Sequence, residues 1–168
     1  TDEKLEVLIA RNAWQKELIW NRFSMDQLGM SISQPDKVRR SSQTISVGNT
    51  GNWSTKNYLP MGCLKNKETD SILFWQIEQN GSWYWEISDQ DGHMYLQLSG
   101  PTEHQSHWWK NLKPGDTFAS VPVSVGSACG DVEEAAGELT KYRRAIRRKN
   151  EDNEKLPVIF NDYMNCLW

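Results

Sequence analysis

Residues 71–98 read SILFWQIEQNGSWYWEISDQDGHMYLQL, and the way this stretch pairs decides the fold. Two runs rich in β-branched and aromatic residues, 71–79 and 82–88, flank Asn80-Gly81. That dipeptide is the strongest short hairpin signal, because a type I′ turn needs positive φ at both central residues. Asp91-Gly92 then leads into a third run, 93–98, so the stretch predicts an antiparallel meander. With Asn80-Gly81 as a two-residue turn, Gln79 faces Ser82, Glu78 faces Trp83, Gln76 faces Trp85 and Phe74 faces Ile87. One side then carries Phe74, Trp83, Trp85 and Ile87, and the other Leu73, Trp75, Ile77 and Tyr84. A sheet with one wet side is polar on that side. This one is apolar on both, so it is covered twice or offers one side to a ligand or partner. The stretch predicts a sandwich.

Outward from it, 43–48 alternates Ile45 and Val47 with polar residues, as a strand does. The Gly- and Asn-rich 48–57 reads as a long surface loop carrying Trp53. Residues 2–20 fit a helical face through Leu5, Leu8 and Ile9, or a strand beginning at Leu18-Ile19-Trp20; both readings stay open. Residues 26–35 have no period and predict a loop. Leu112-Lys113-Pro114-Gly115-Asp116 is a tight turn, followed by a strand over 117–125 whose Pro122 suits an edge or a bulge.

Asp131 and Glu134 have capping-box spacing, and Val132, Ala135, Ala136, Leu139, Tyr142 or Arg143, and Ile146 form a helical stripe ending in Arg and Lys. A polar linker, 150–155, precedes Leu156-Pro157-Val158-Ile159-Phe160, which reads as a buried strand. The expected fold is mostly β: an antiparallel β-sandwich over 1–130, a connecting helix and linker over 131–155, and a lone strand over 156–168.

The formal charge of −3 argues against binding nucleic acid by neutralising phosphates. Arg143, Arg144, Arg147, Arg148 and Lys149 form a basic run beside Glu151, Asp152 and Glu154, which reads as a solvated helix face. No window approaches the roughly 18 apolar residues of a membrane span, and no signal peptide opens the chain. Cys63, Cys129 and Cys166 are odd in number and form no CxxC pair, so a reducing, cytoplasmic setting is expected rather than a zinc or disulfide framework.

No catalytic constellation stands out. Glu103, His104 and His107 have a conceivable metal spacing but read as ordinary loop residues, and Ser41 and Ser42 have no base at a readable spacing. GNTGNW lacks the strand-then-helix setting of a phosphate loop. Nine Trp remain the unusual feature. Trp supplies large buried area, and exposed Trp can stack on the C–H faces of sugar rings. The sheet Trp read as core, whereas Trp53, Trp108 and Trp109 are candidates for sugar stacking.

Several segments together resemble the α-galactosidases of glycoside hydrolase family 36. Ala10-Arg11-Asn12-Ala13-Trp14-Gln15-Lys16-Glu17 looks like a segment of that family's N-terminal β-supersandwich. Gly100-Pro101 and the later Leu112-Lys113-Pro114-Gly115-Asp116-Thr117-Phe118 look like its leucine, proline-glycine, phenylalanine passage. Residues 131–148 resemble the helix with a Tyr-Arg-Arg ending that hands over to the catalytic barrel. KLPVIFNDYMNCLW, 155–168, is the most specific match and resembles the first strand of that (β/α)8 barrel in one branch of the family.

The resemblance implies a non-catalytic fragment of a retaining hydrolase whose two carboxylates lie on later barrel strands. Asn161, Asp162, Tyr163 and Trp168 would lie near the sugar subsite, with Tyr163 where many members carry Trp. It implies an oligosaccharide substrate for the parent enzyme. Neither cofactor nor metal is expected, nor a nucleic-acid or membrane partner, and a homo-oligomer stays open. The rival readings are a free-standing carbohydrate-binding module and a purely structural domain.

Overall fold

The computed structural model describes residues 4–30, 43–90 and 93–163. In chain order the strands are β1 (Leu5–Ala13), β2 (Lys16–Ser24), β3 (Ile45–Asn49), β4 (Tyr58–Asn66), β5 (Ser71–Ile77), β6 (Trp83–Gln90), β7 (His93–Ser99) and β8 (Val123–Cys129). The helices are α1 (Glu103–Ser106), α2 (Val132–Ile146) and α3 (Glu151–Lys155). The strands make two antiparallel sheets, one ordered β2-β1-β4-β5-β8 and the other β3-β6-β7. The chain is mostly β, with antiparallel sheets, as its turn-and-strand grammar predicts.

Side-chain parity explains the layering. Val7, Leu8, Ile9 and Ala10 of β1 are all buried, which requires cover on both faces. Val7 and Ile9 join Trp75 and Ile77 of β5 against Val47 of β3 and Trp83, Trp85 and Ile87 of β6. Leu8 points the other way, into a second cluster with Cys63, Ile72, Phe74 and Ala135 of α2. The five-stranded sheet is therefore a middle layer, with the three-stranded sheet on one face and α2 on the other. Trp75, Trp83 and Trp85 are essentially inaccessible, and Trp75 meets Trp85 edge to face at 5.2 Å between ring centroids. Each such Trp removes roughly 150–250 Å² from water, about 4–6 kcal/mol at about 25 cal/mol per Å² before the entropy of ordering is subtracted. The sheet Trp are core, as expected.

The Asn80-Gly81 hairpin does not form. β5 pairs with β4 and β8, whereas β6 pairs with β3 and β7, so the dipeptide carries the chain from one sheet to the facing one. Phe74 consequently lies in the helix-side cluster and shares no face with Trp83. The competing term is burial: in facing sheets Trp75 packs directly on Trp85, and both edges of β5 still find partners. Beyond the end of β5, the Glu78 N–H donates to the Pro122 carbonyl at 2.9 Å. The two-sided cover that residues 71–98 demand is met for β5 alone, by the three-stranded sheet on one face and α2 on the other, whereas β6 buries Trp83, Trp85 and Ile87 and leaves Tyr84 and Glu86 half-buried on its outer face. The second and third runs do pair antiparallel, with Gln90 opposite His93 across the β6–β7 pair.

The open reading of 2–20 resolves as a hairpin of β1 and β2 around Trp14-Gln15, with Gln15 at φ 59°. The strand expected over 117–125 begins at Val123 instead. Pro122 has no N–H to donate, so regular pairing starts only after it, on the sheet's edge. At 113–116 the Asp116 N–H donates to the Lys113 carbonyl at 2.9 Å, with Gly115 at φ 91°, where a side chain would be strained.

α2 starts as its sequence predicts. The Asp131 side chain accepts from the Val132 N–H at 2.7 Å and from the Glu134 N–H, and the Glu134 side chain accepts from the Asp131 N–H at 2.7 Å, completing the capping box. Arg22 of β2 donates to the same Asp131 carboxylate at 2.6 Å, tying helix to sheet. Only the first half of the apolar stripe is covered, through Val132, Ala135 and Leu139. Ile146 is exposed.

The terminal segment departs from expectation. Up to Tyr163 it belongs to neither sheet, and Val158, Ile159 and Phe160 are 100%, 85% and 80% exposed. Leu156 leaves α3 in the left-handed region, φ 46°, and among the described residues no strand pairs with the chain beyond it. Trp168 lies outside the described residues, as does the serine pair at 41–42.

Candidate functional site

A recess that presents aromatic faces to solvent lies at one end of the sandwich, between the end of β7 and the start of β8. Thr102 caps α1 by accepting from the Gln105 N–H at 3.1 Å, and His107 ends it in the left-handed region at φ 50°. That bend sends Trp108 outward. The turn at 113–116 returns the chain, and Phe118 comes to lie beside Trp108, ring centroids 5.6 Å apart and planes tilted by 38°. Gly100 lets the returning segment approach: a Cβ there would stand 2.4 Å from Val121 Cγ2. The result is a cavity of about 610 Å³ lined by Trp108, Phe118 and, among others, Gln79, Ser99 and Ser120. Its size is that of a small-molecule site.

The other candidate residues do not share it. Trp109 and Trp53 are 65% and 61% exposed, Trp53 on the loop between β3 and β4, and neither lines the cavity. Asn161, Asp162 and Tyr163 lie on the exposed terminal segment, where the Tyr163 N–H donates to Asn161 Oδ1 at 2.9 Å and the Tyr163 ring is open to solvent. Glu103, His104 and His107 sit on or next to α1, and among the described residues no group of three or more His, Cys, Asp or Glu is placed to hold a metal ion. Among the same residues no helix is long and apolar enough to cross a membrane.

A second recess of about 540 Å³ runs between α2 and the outer face of the five-stranded sheet, over Trp20, Met61 and Leu139, with Arg143 and Arg147 at its border. It is largely apolar. Arg143 is already engaged, donating toward Glu78 at 2.8 Å. Cys63 lies at its floor, where burial pushes the thiol up to about 12, far from a reactive thiolate. On the outer face of the three-stranded sheet, the Tyr84 and Tyr95 hydroxyls both donate to the Glu86 carboxylate, at 2.5 and 2.8 Å. Tyr84 is raised above its ordinary value first by burial and then by Glu86, and Tyr95 first by Glu86. These bonds hold the phenols protonated and brace the sheet surface.

No family model, curated protein or solved structure matches the chain. Sequence reasoning identified Trp108 but missed Phe118, Gln79 and Ser120 as its neighbours. Phe118 reads from sequence as one apolar position in a strand. Only the return of the chain after Pro114-Gly115 shows that it faces Trp108 instead.

Proposed function

We propose that the chain is the non-catalytic β-sandwich region, connecting helix and first barrel strand of an α-galactosidase-type glycoside hydrolase. The parent enzyme would hydrolyse terminal α-galactosides of oligosaccharides with retention, using two carboxylates on later barrel strands. The observation that supports this reading is the condition of Val158, Ile159 and Phe160. They are strand-forming and apolar, yet they lie uncovered beyond α3, where an exposed apolar patch calls for a partner surface. A barrel would supply that cover from both sides. The run ends in Asn161-Asp162-Tyr163, polar and aromatic groups at the C-terminal end of a strand, where barrel enzymes carry their functional residues. In this role Asn161, Asp162, Tyr163 and Trp168 would border the sugar subsite. No cofactor or metal enters the proposed chemistry.

Two measurements test it. The coding sequence should continue in frame past Trp168 into alternating strands and helices, with two well-placed Asp. The 168-residue chain alone should leave a nitrophenyl α-galactoside intact. A stop codon directly after Trp168, or turnover that survives purification controls, overturns the proposal.

A further inference from the structure

We infer that the cavity framed by Trp108 and Phe118 is a binding site for a neutral oligosaccharide, carried by the sandwich itself and independent of any hydrolytic centre. Three properties of the cavity converge on that ligand chemistry. First, two aromatic rings that could have been buried are left open, Trp108 at 38% and Phe118 at 50% exposure, and their tilt forms a shallow apolar shelf. Flat C–H surfaces fit such a shelf, and the attraction is dispersion plus the negative ring face. Second, the hydrogen-bonding side chains that line it are the Gln79 amide and the Ser99 and Ser120 hydroxyls. These suit hydroxyl groups, which both donate and accept. Third, no Asp, Glu, Lys, Arg or His is among the described residues that line it. An anionic or cationic ligand would find no counter-charge there, which disfavours phosphates, nucleotides and charged peptides.

The volume of about 610 Å³ accommodates one or two sugar rings. The fold also holds the shelf in place. Ser99 Oγ donates to the Tyr84 carbonyl at 3.2 Å, fixing the end of β7, and Gly100 leaves room for Val121 of the returning segment to pack against it. The site is therefore largely formed before a ligand arrives, which lowers the ordering cost of binding.

The test is titration calorimetry of the full 168-residue chain with raffinose, maltotriose and cellotriose, chosen to present different ring faces and linkages, plus octyl alcohol as a probe with a long apolar chain and a single hydroxyl. Saturable binding of at least one trisaccharide is expected, weakened about tenfold or more by Trp108→Ala and by Phe118→Ala, a loss of about 1.4 kcal/mol. Trp109→Ala and Trp53→Ala should leave it unchanged. Both cavity rings are exposed, so these variants keep the buried core, and an unchanged far-ultraviolet circular dichroism spectrum checks it. Binding of none of the three sugars overturns the inference. So does sugar binding indifferent to Trp108→Ala, or uptake of octyl alcohol alone. None of these outcomes bears on hydrolysis, which the nitrophenyl assay and the reading frame test separately.

Discussion

Replacing Gly81 with alanine distinguishes the two ways of joining β5 to β6. A type I′ hairpin would place Gly81 at positive φ, where a side chain costs about 1–2 kcal/mol. In the structure neither Asn80 nor Gly81 has positive φ. The nearest atom to a Cβ on Gly81 is Gln79 Nε2 at 3.4 Å, the far end of a flexible side chain. Alanine is then compatible with the folded backbone and mainly restricts the unfolded chain, which stabilises by about 0.4–1 kcal/mol. At about 2–4 °C per kcal/mol for a chain of this size, Tm should rise by roughly 1–4 °C. Gly115→Ala is the internal control, because Gly115 stands at φ 91° with nothing within 4 Å of its Cβ position, so only backbone strain is added. It should lower Tm by about 2–8 °C on the same scale. Thermal unfolding followed by circular dichroism, with urea titrations to confirm an unchanged m-value, measures both. The two variants should shift in opposite directions. A Gly81→Ala chain destabilised as much as Gly115→Ala would put residue 81 in the left-handed region and refute the crossover between sheets.

Asp131→Ala should cost about 1–2 kcal/mol in urea denaturation, combining about 1 kcal/mol for the cap with a few tenths to 1 for the exposed Arg22 pair. Asp131→Asn, which keeps capping ability, should lose about half of that. The Arg22 hydrogen bond, foremost, holds the Asp131 carboxyl below its ordinary value. A depressed folded value means the contribution is complete above about pH 4 and fades as pH falls through the depressed range. The gap between wild type and Asp131→Asn should therefore narrow in acid, and a widening gap would count against the pairing. Cys63, buried and raised to about 12, should resist iodoacetamide in the native chain at about pH 8 while exposed Cys129 reacts. Peptide mass mapping before and after unfolding reads this directly, and native labelling of Cys63 would contradict its burial. Gly62→Ala would bring a Cβ to 2.5 Å from Trp75 Cζ2, on a ring already wedged against Trp85, at a cost of about 1–3 kcal/mol or more. A neutral result would mean that Trp75 does not pack across β4.

Several features were legible because their causes are local. The capping box of α2 needs only Asp131 and Glu134 three residues apart, and it forms as the spacing predicts. The turn at 113–116 needs Pro to set one φ and Gly to accept a positive one, and both are met. The two-residue register from Gln90 to His93 follows from the alternation on either side of Asp91-Gly92. Of the candidate site, the sequence singles out Trp108 as an aromatic just before a turn, but not whether its ring is buried; in the structure it is exposed and lines the cavity.

Strand partnership was not legible, because a strand's hydrogen-bonding edges carry no label for their partner. Trp75 and Trp83 satisfy the same alternation whether β5 and β6 lie side by side or face to face. The choice rests on what covers them: α2 over Phe74 and Ile72 on one side, and β3 with β6 over Trp75 and Ile77 on the other. The same holds for the cavity, since Phe118 meets Trp108 only after the chain has turned back on itself. By itself the sequence determined that this chain is a mostly-β sandwich with one well-capped helix, through periods and turns that act over a few residues. The tertiary structure decided which strands share a sheet, which aromatics are core and which are presented to a ligand, because burial is settled between segments far apart in the chain.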